Sequence, residues 1–192
     1  MFSFLTYRHG HFGPRVFGPL RSLWPSPVQS NWRLYVFDPG TGKAGVHFLT
    51  TAITSFPHAL AARLLSEGVP MHVPARAEVR QLADGAFDVL VDPGEGSAPD
   101  VSMLLRPAGR GSLPPPWDAC FESWGELLGY CVPQDRALSV RPWDGGCVVR
   151  QEIDLGIPLE DCVPLVGRVT SAAARGIVGD ADDGGVVLLG GA

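Results

Sequence analysis

Apolar and polar residues alternate from Asn31 to Tyr35 within a strand-like run that reaches Phe37, and a second strand-like run follows from Val46 to Ile53. A period of two marks a pleated strand with one buried face. Asp38-Pro39-Gly40 ends the first run, and Gly42 and Gly45 precede the second. The two therefore predict a β-hairpin with a loop longer than two residues. A second hairpin is expected from residues 73–81 and 86–91 around Asp84-Gly85. A third is expected from 137–143 and 146–154, turned at Asp144-Gly145-Gly146. Val101 to Arg106 and Gly185 to Leu189 read as further strands.

Helical spacing is rarer. Ser55 can cap a helix with Pro57 in its first turn and Gly68 at its end. Its expected apolar face is Leu60, Ala61, Leu64 and Leu65, with Arg63 and Glu67 as an ion pair four residues apart. A second helix is expected from Asp118 to Tyr130, presenting Phe121, Trp124, Leu127 and Leu128, after the stiff Pro114-Pro115-Pro116 connector. A third, short helix is expected near 159–166. Residues 1–28 read as irregular, because Gly10, Gly13, Gly18, Pro14, Pro19, Pro25 and Pro27 break any period. Strands joined as hairpins with few helices predict one mainly β (α+β) domain over residues 1–192. The expected form is an antiparallel barrel or sandwich flanked by two or three short helices.

Composition narrows this picture. With 24 glycines and 18 prolines, the chain favours many turns over long helices. No apolar run reaches the roughly 18 residues of a membrane helix, and Arg8, His9 and Gly10 interrupt the apolar start before a signal core could form. A cytoplasmic protein with no membrane partner is the expectation. The net charge is −5, and fourteen arginines are dispersed against a single lysine, Lys43. Nucleic-acid binding is therefore not expected. Cys120, Cys131, Cys147 and Cys162 show no C-x-x-C spacing and read as buried free thiols.

Few motifs carry chemistry. Pro39-Gly40-Thr41-Gly42-Lys43-Ala44 fails as a phosphate loop, because Ala44 replaces the magnesium-binding hydroxyl and the stretch joins strands. There is no G-x-S-x-G elbow. His9-Gly10-His11 lacks a third ligand, so no metal and no cofactor are expected. Asp180, Asp182 and Asp183 read as a solvated cluster. His47, in a strand, is a candidate polar group of a cavity. Most informative is Gln29-Ser30-Asn31-Trp32-Arg33-Leu34-Tyr35. Alternation places Asn31, Arg33 and Tyr35 on one face and Trp32 and Leu34 on the other, so Arg33 is a candidate clamp for a carboxylate.

Asn31 to Val36, Gly45 to Leu49, Ala59 to Leu65 with Val69-Pro70, and the later Phe121-Glu122 to Leu128, Ser139, Arg150 and Pro158-Leu159 together resemble the YqjF-like bacterial family of unknown function. The resemblance spans residues 29–165. That family is grouped with acetoacetate-decarboxylase-like proteins, which implies a cone-shaped antiparallel β-barrel around a small cavity. It also implies an imine-forming lysine near Val69-Pro70-Met71-His72, where this chain has Met71 or His72. A family glutamate is matched by Gln29, and the extra N-terminal strands of the family are missing. The resemblance therefore argues against imine-forming decarboxylation and allows a homodimer that completes the sheet.

Three functions follow as expectations. The first is a binding protein for a small carboxylated or aromatic metabolite, with Gln29, Asn31, Arg33, Tyr35, His47, Met71 and His72 as candidate contacts. The second is a metal-independent lyase or hydrolase with His47 or His72 as general base. The third is an interaction protein with a filled barrel.

Overall fold

The structure is a computed structural model. It describes the chain apart from residues 14, 66–69, 110, 133–135, 142–144, 153–158, 180–184 and 190–192, and apart from the side chains of 15, 65, 141, 161, 178 and 185–189. In chain order the elements begin with β1 (Phe2–Arg8), β2 (Val28–Asp38), β3 (Lys43–Ile53), α1 (Phe56–Leu65), β4 (Met71–His72), β5 (Arg76–Gln81), β6 (Phe87–Asp92) and β7 (Val101–Pro107). They continue with α2 (Trp124–Cys131), β8 (Arg136–Arg141), β9 (Cys147–Glu152), β10 (Val163–Thr170), α3 (Ala172–Val178) and β11 (Gly185–Leu189).

The strands form two sheets. One has the order β1-β2-β3-β8-β9, with β4 also paired to β3, and the other has the order β11-β10-β7-β6-β5. Every pairing is antiparallel except β3 with β4 and β3 with β8. Among the described strands no ladder joins the two sheets. The architecture is thus mainly β with two sheets, and the described strands form no closed barrel.

The two sheets are joined by their apolar faces. Trp32 and Ala52 of the first sheet meet Val89, Val91, Val101, Met103, Leu105 and Leu165 of the second, with Phe2 and Phe4 packed alongside. Trp32 has no exposed surface, and Phe4 stacks on it at 4.9 Å. Burying each large side chain of this kind contributes roughly 1.5–3 kcal/mol. Two glycines permit close approaches that a Cβ would block. At Gly45 a methyl would meet Leu138 Cδ1 at 2.7 Å where β8 docks, and at Gly167 it would overlap the Leu104 carbonyl oxygen of β7.

Several expectations are corrected. Residues 1–28 are not irregular throughout: β1 pairs with β2 along its whole length, from Phe2 opposite Leu34 to Arg8 opposite Val28. A 3₁₀ segment, Arg15–Leu23, follows it, kinked at Gly18. The first helix buries Ala59 and packs Ala62 against Ile53 and Met71, while Leu60, Ala61 and Leu64 face outward. Leu65, Glu67 and Gly68 bear on side chains or positions outside the described residues. The second helix starts at Trp124, where Ser123 accepts a hydrogen bond from the Glu126 amide and Glu126 accepts one from the Glu122 amide. This is a variant of the capping box. The helix expected at 159–166 is a short 3₁₀ turn, Leu159–Asp161, followed by strand β10. All four cysteines are free, but Cys120 and Cys147 are exposed instead of buried. Asp180, Asp182 and Asp183 lie outside the described residues. No described helix is long and apolar enough to cross a membrane.

A polar row beneath the helices

Strand β2 carries two chemistries on its two faces. Ser30, Trp32 and Leu34 point toward the second sheet. Gln29, Asn31, Arg33 and Tyr35 point away from it, together with Ser3 and Tyr7 from β1, because directly opposed residues share a face. A register shift between Trp32 and Arg33 leaves Leu49 of β3 without an opposite residue. The bulge brings Phe48 opposite Arg33 and Val46 opposite Tyr35, on the outward face. Bulges of this kind re-aim side chains locally.

Arg33 is the centre of the outward face. It is only 3 % exposed. Its Nε donates to Ser3 Oγ at 2.9 Å, and its Nη2 donates to the Tyr35 hydroxyl at 3.2 Å and to the Cys131 carbonyl at 2.8 Å. The Tyr35 hydroxyl accepts from Ser3 Oγ and donates to the same Cys131 carbonyl, each at 3.2 Å. Hence the C-terminal turn of α2 is tied to β2 through one guanidinium and one phenol. No described carboxylate pairs with Arg33. Burial pushes the Tyr35 phenol up to about 12 despite the neighbouring cation. The Tyr35 ring stacks on Tyr130 at 5.2 Å, and Tyr130 lies 5.6 Å from Phe121.

A second chain of hydrogen bonds continues from Tyr7. His9 Nε2 lies 2.7 Å from Gln29 Oε1, Gln29 Nε2 donates to Asn31 Oδ1 at 2.6 Å, and Asn31 Nδ2 donates to the Tyr7 hydroxyl at 3.2 Å. A carbonyl oxygen can only accept, so His9 carries its proton on Nε2. The relay points one way and ends on Tyr7, whose own O–H meets no acceptor among the described residues. Burial raises the Tyr7 phenol, while Asn31 and the charge of Arg33 oppose the shift. Burial lowers the His9 imidazole, and Gln29 counteracts it.

The surroundings are rich in donors. Thr51, opposite Asn31, is buried with no partner for its hydroxyl among the described residues, and so are the indole N–H groups of Trp124, at the start of α2, and of Trp117, which precedes it. Trp124 belongs to the cluster with Leu127 and Cys131 against which Tyr35 and Trp117 pack. A buried unpaired donor costs about 1–3 kcal/mol.

The fold gathers Gln29, Asn31, Arg33 and Tyr35, as alternation predicts, but not the remaining candidates. Met71 lies on the same face and is consumed by packing with Ile53 and Ala59. His47 pairs with Leu34, so it is on the opposite face, where its Nδ1 lies 3.0 Å from the Leu138 carbonyl. His72 pairs with Ala52 and reaches Ser97 Oγ at 2.9 Å, away from Arg33. Lys43 is exposed at the start of β3, in the turn where Asp38 accepts from Gly40 and Thr41. Ser3, Tyr7 and His9 are the residues missed by sequence reasoning. The Phe2/Phe4 alternation with Ser3 and Tyr7 was the available signal. Among the described residues, no group of three or more His, Cys, Asp or Glu could hold a metal.

No family model matches this chain, and no curated protein matches it.

Proposed function

We propose that the protein binds a small carboxylated metabolite on the outward face of the first sheet, with Arg33 as its anchor. One observation carries this reading: a buried guanidinium is satisfied by neutral oxygens alone and faces no described carboxylate. Leaving a buried charge uncompensated is costly, and a bidentate carboxylate is the partner that suits a guanidinium. The unpartnered Thr51, Trp117 and Trp124 donors and the free Tyr7 O–H ask for acceptors of the same kind. Phe121, Tyr35 and Tyr130 offer aromatic surface for the apolar body of such a ligand.

On this reading the protein is a decarboxylase-like fold that retains a binding role without imine chemistry. Met71 is packed under α1, and Lys43 is exposed at the first position of β3. His47 and His72 face away from Arg33, so a histidine base at either position would serve a different site. Native mass spectrometry of freshly purified protein, followed by thermal-shift screening of carboxylates against their amides, tests the proposal. A carboxylate at a hundred times its Kd should stabilise the fold by about 2.7 kcal/mol. Its amide should not, and Arg33→Met should abolish the effect. Retained binding by Arg33→Met, or equal shifts from acids and amides, would sink it.

A further inference from the structure

The polar row holds a second set of unspent donors, one step along β2 from Arg33. At Asn31 the ladders bring two hydroxyls to one face from the strands on either side. The Tyr7 hydroxyl, from β1, accepts from Asn31 Nδ2 at 3.2 Å and has no described acceptor for its own proton. Thr51, directly opposite Asn31 on β3, is 1 % exposed, and its hydroxyl has no partner among the described residues. Directly opposed residues share a face, so Thr51 and Asn31 point the same way. The Asn31 oxygen is already engaged by Gln29 Nε2 at 2.6 Å, and its remaining amide proton adds a third donor.

The balance at Asn31 calls for an acceptor, and the charges decide its kind. Among the described residues, Arg33 is the one charge that bears on the Tyr7 phenol, and a ligand carboxylate at Arg33 neutralises it. Arg63 spends its Nε on the carbonyl of Met71, at 2.6 Å, in the strand beyond Thr51. A second anion at Asn31 would thus meet hydroxyls and an amide without a cation of its own, which offset the desolvation of a carboxylate poorly. An uncharged oxygen costs far less to bury. A carbonyl, which accepts and never donates, matches a place that has only donors to spare. Two residues of strand separate Asn31 from Arg33, so about 7 Å lies between the two binding points.

We propose that the ligand of this face is an acid charged at one end only, with an ester or amide carbonyl about 7 Å from its carboxylate. Arg33 takes the carboxylate, and Tyr7 and Thr51 donate to the carbonyl. The inference rests on the carboxylate reading of Arg33 and adds the second contact that selects among acids. Calorimetric titration with monomethyl adipate, hexanoate and adipate tests the two layers separately, since the carboxyl carbons of an extended adipate chain stand roughly 6 Å apart. The half-ester should bind about tenfold more tightly than hexanoate, the worth of about two neutral hydrogen bonds, and more tightly than the adipate dianion. That preference should fall to about threefold in Tyr7→Phe, and to about threefold in Thr51→Val, as one bond is lost from each. Tyr7→Phe keeps its ring in place and decides the matter alone if Thr51→Val fails to fold. Equal binding of half-ester and hexanoate, tightest binding of adipate, or a preference unchanged in Tyr7→Phe overturns the inference, and the carboxylate reading survives as long as Arg33→Met abolishes binding. Binding of none of the three acids, or binding that persists in Arg33→Met, removes that reading and this inference with it.

Discussion

The two faces of strand β2 solve opposite problems with neighbouring residues. On the inward face, Trp32 is wrapped by Phe2, Phe4 and the second sheet, and its indole N–H donates to Ser30 Oγ at 3.1 Å, with Thr6 Oγ1 a further 3.0 Å away. Each polar atom in that triad has a partner, although Thr50, opposite Trp32 on the same face, buries a hydroxyl with no partner among the described residues. On the outward face, Arg33 is almost equally buried, yet its surroundings supply neutral acceptors and leave donors over. The inward face centres on an indole whose N–H has its acceptor. The outward face centres on a buried guanidinium that no described carboxylate meets. Under the proposed function, burial alone does not separate a structural position from a binding one; a buried charge without a counter-charge does.

Three measurements would break or sharpen this contrast. The largest effect belongs to the inward face: Trp32→Ala should destabilise the protein by about 4 kcal/mol in chemical denaturation, through lost burial and a cavity. A loss under about 1 kcal/mol would mean that Trp32 does not anchor the two sheets. The next belongs to Tyr35. Its folded phenol is raised to about 12 from the ordinary 10.0, so the unfolded chain loses its proton first as pH rises. The stabilisation is fully present below pH 10 and is lost between about 10 and 12, amounting to about 2 kcal/mol for a half-buried group. Tyr35→Phe should flatten that alkaline slope. The smallest effect is expected for Arg33→Met without ligand, about 1 kcal/mol or less in either direction, because Ser3, Tyr35 and the Cys131 carbonyl still satisfy one another. A cost above about 3 kcal/mol would instead make Arg33 a clamp that holds α2 on the sheet.

Much of the fold is legible in the sequence where glycine and aspartate mark the turns. Asp38 to Gly42 and Asp84-Gly85 both close hairpins where expected, with Gly42 and Gly85 at positive φ. Strand β1 is not read that way. The prolines and glycines after Arg8 obscure a strand in which Phe2, Phe4 and Thr6 face inward and Ser3, Leu5 and Tyr7 outward, and in which polarity follows the faces only from Phe2 to Phe4. Missing β1 hides half of the polar row, since Ser3, Tyr7 and His9 all precede the recognised core. The face of α1 is misjudged because this helix packs through Ala59 and Ala62, small residues that allow close approach, and not through its leucines. Residues 163–170 defeat the helix expectation because β10 sits between β7 and β11, a pairing no local window contains. The four polar residues of β2 are legible because strand periodicity is local. Their partners on β1 and α2 come from distant segments.

The far edge of β3 is shared by two strands that arrive at different times. Thr51 and Ala52 pair with β4 within twenty residues of chain, but Val46 and His47 wait for Ala137 and Leu138. Three strands of the other sheet, β5 to β7, are made in between. During synthesis the first sheet must therefore keep part of an edge open while its neighbour is being built, with Gly45 reserving the space for Leu138. An open edge of this kind is where a growing chain is most exposed to wrong pairing. The late arrival of β8 makes completion of the first sheet a long-range event, and a folding rate set by such closures is slow relative to one set by hairpins alone.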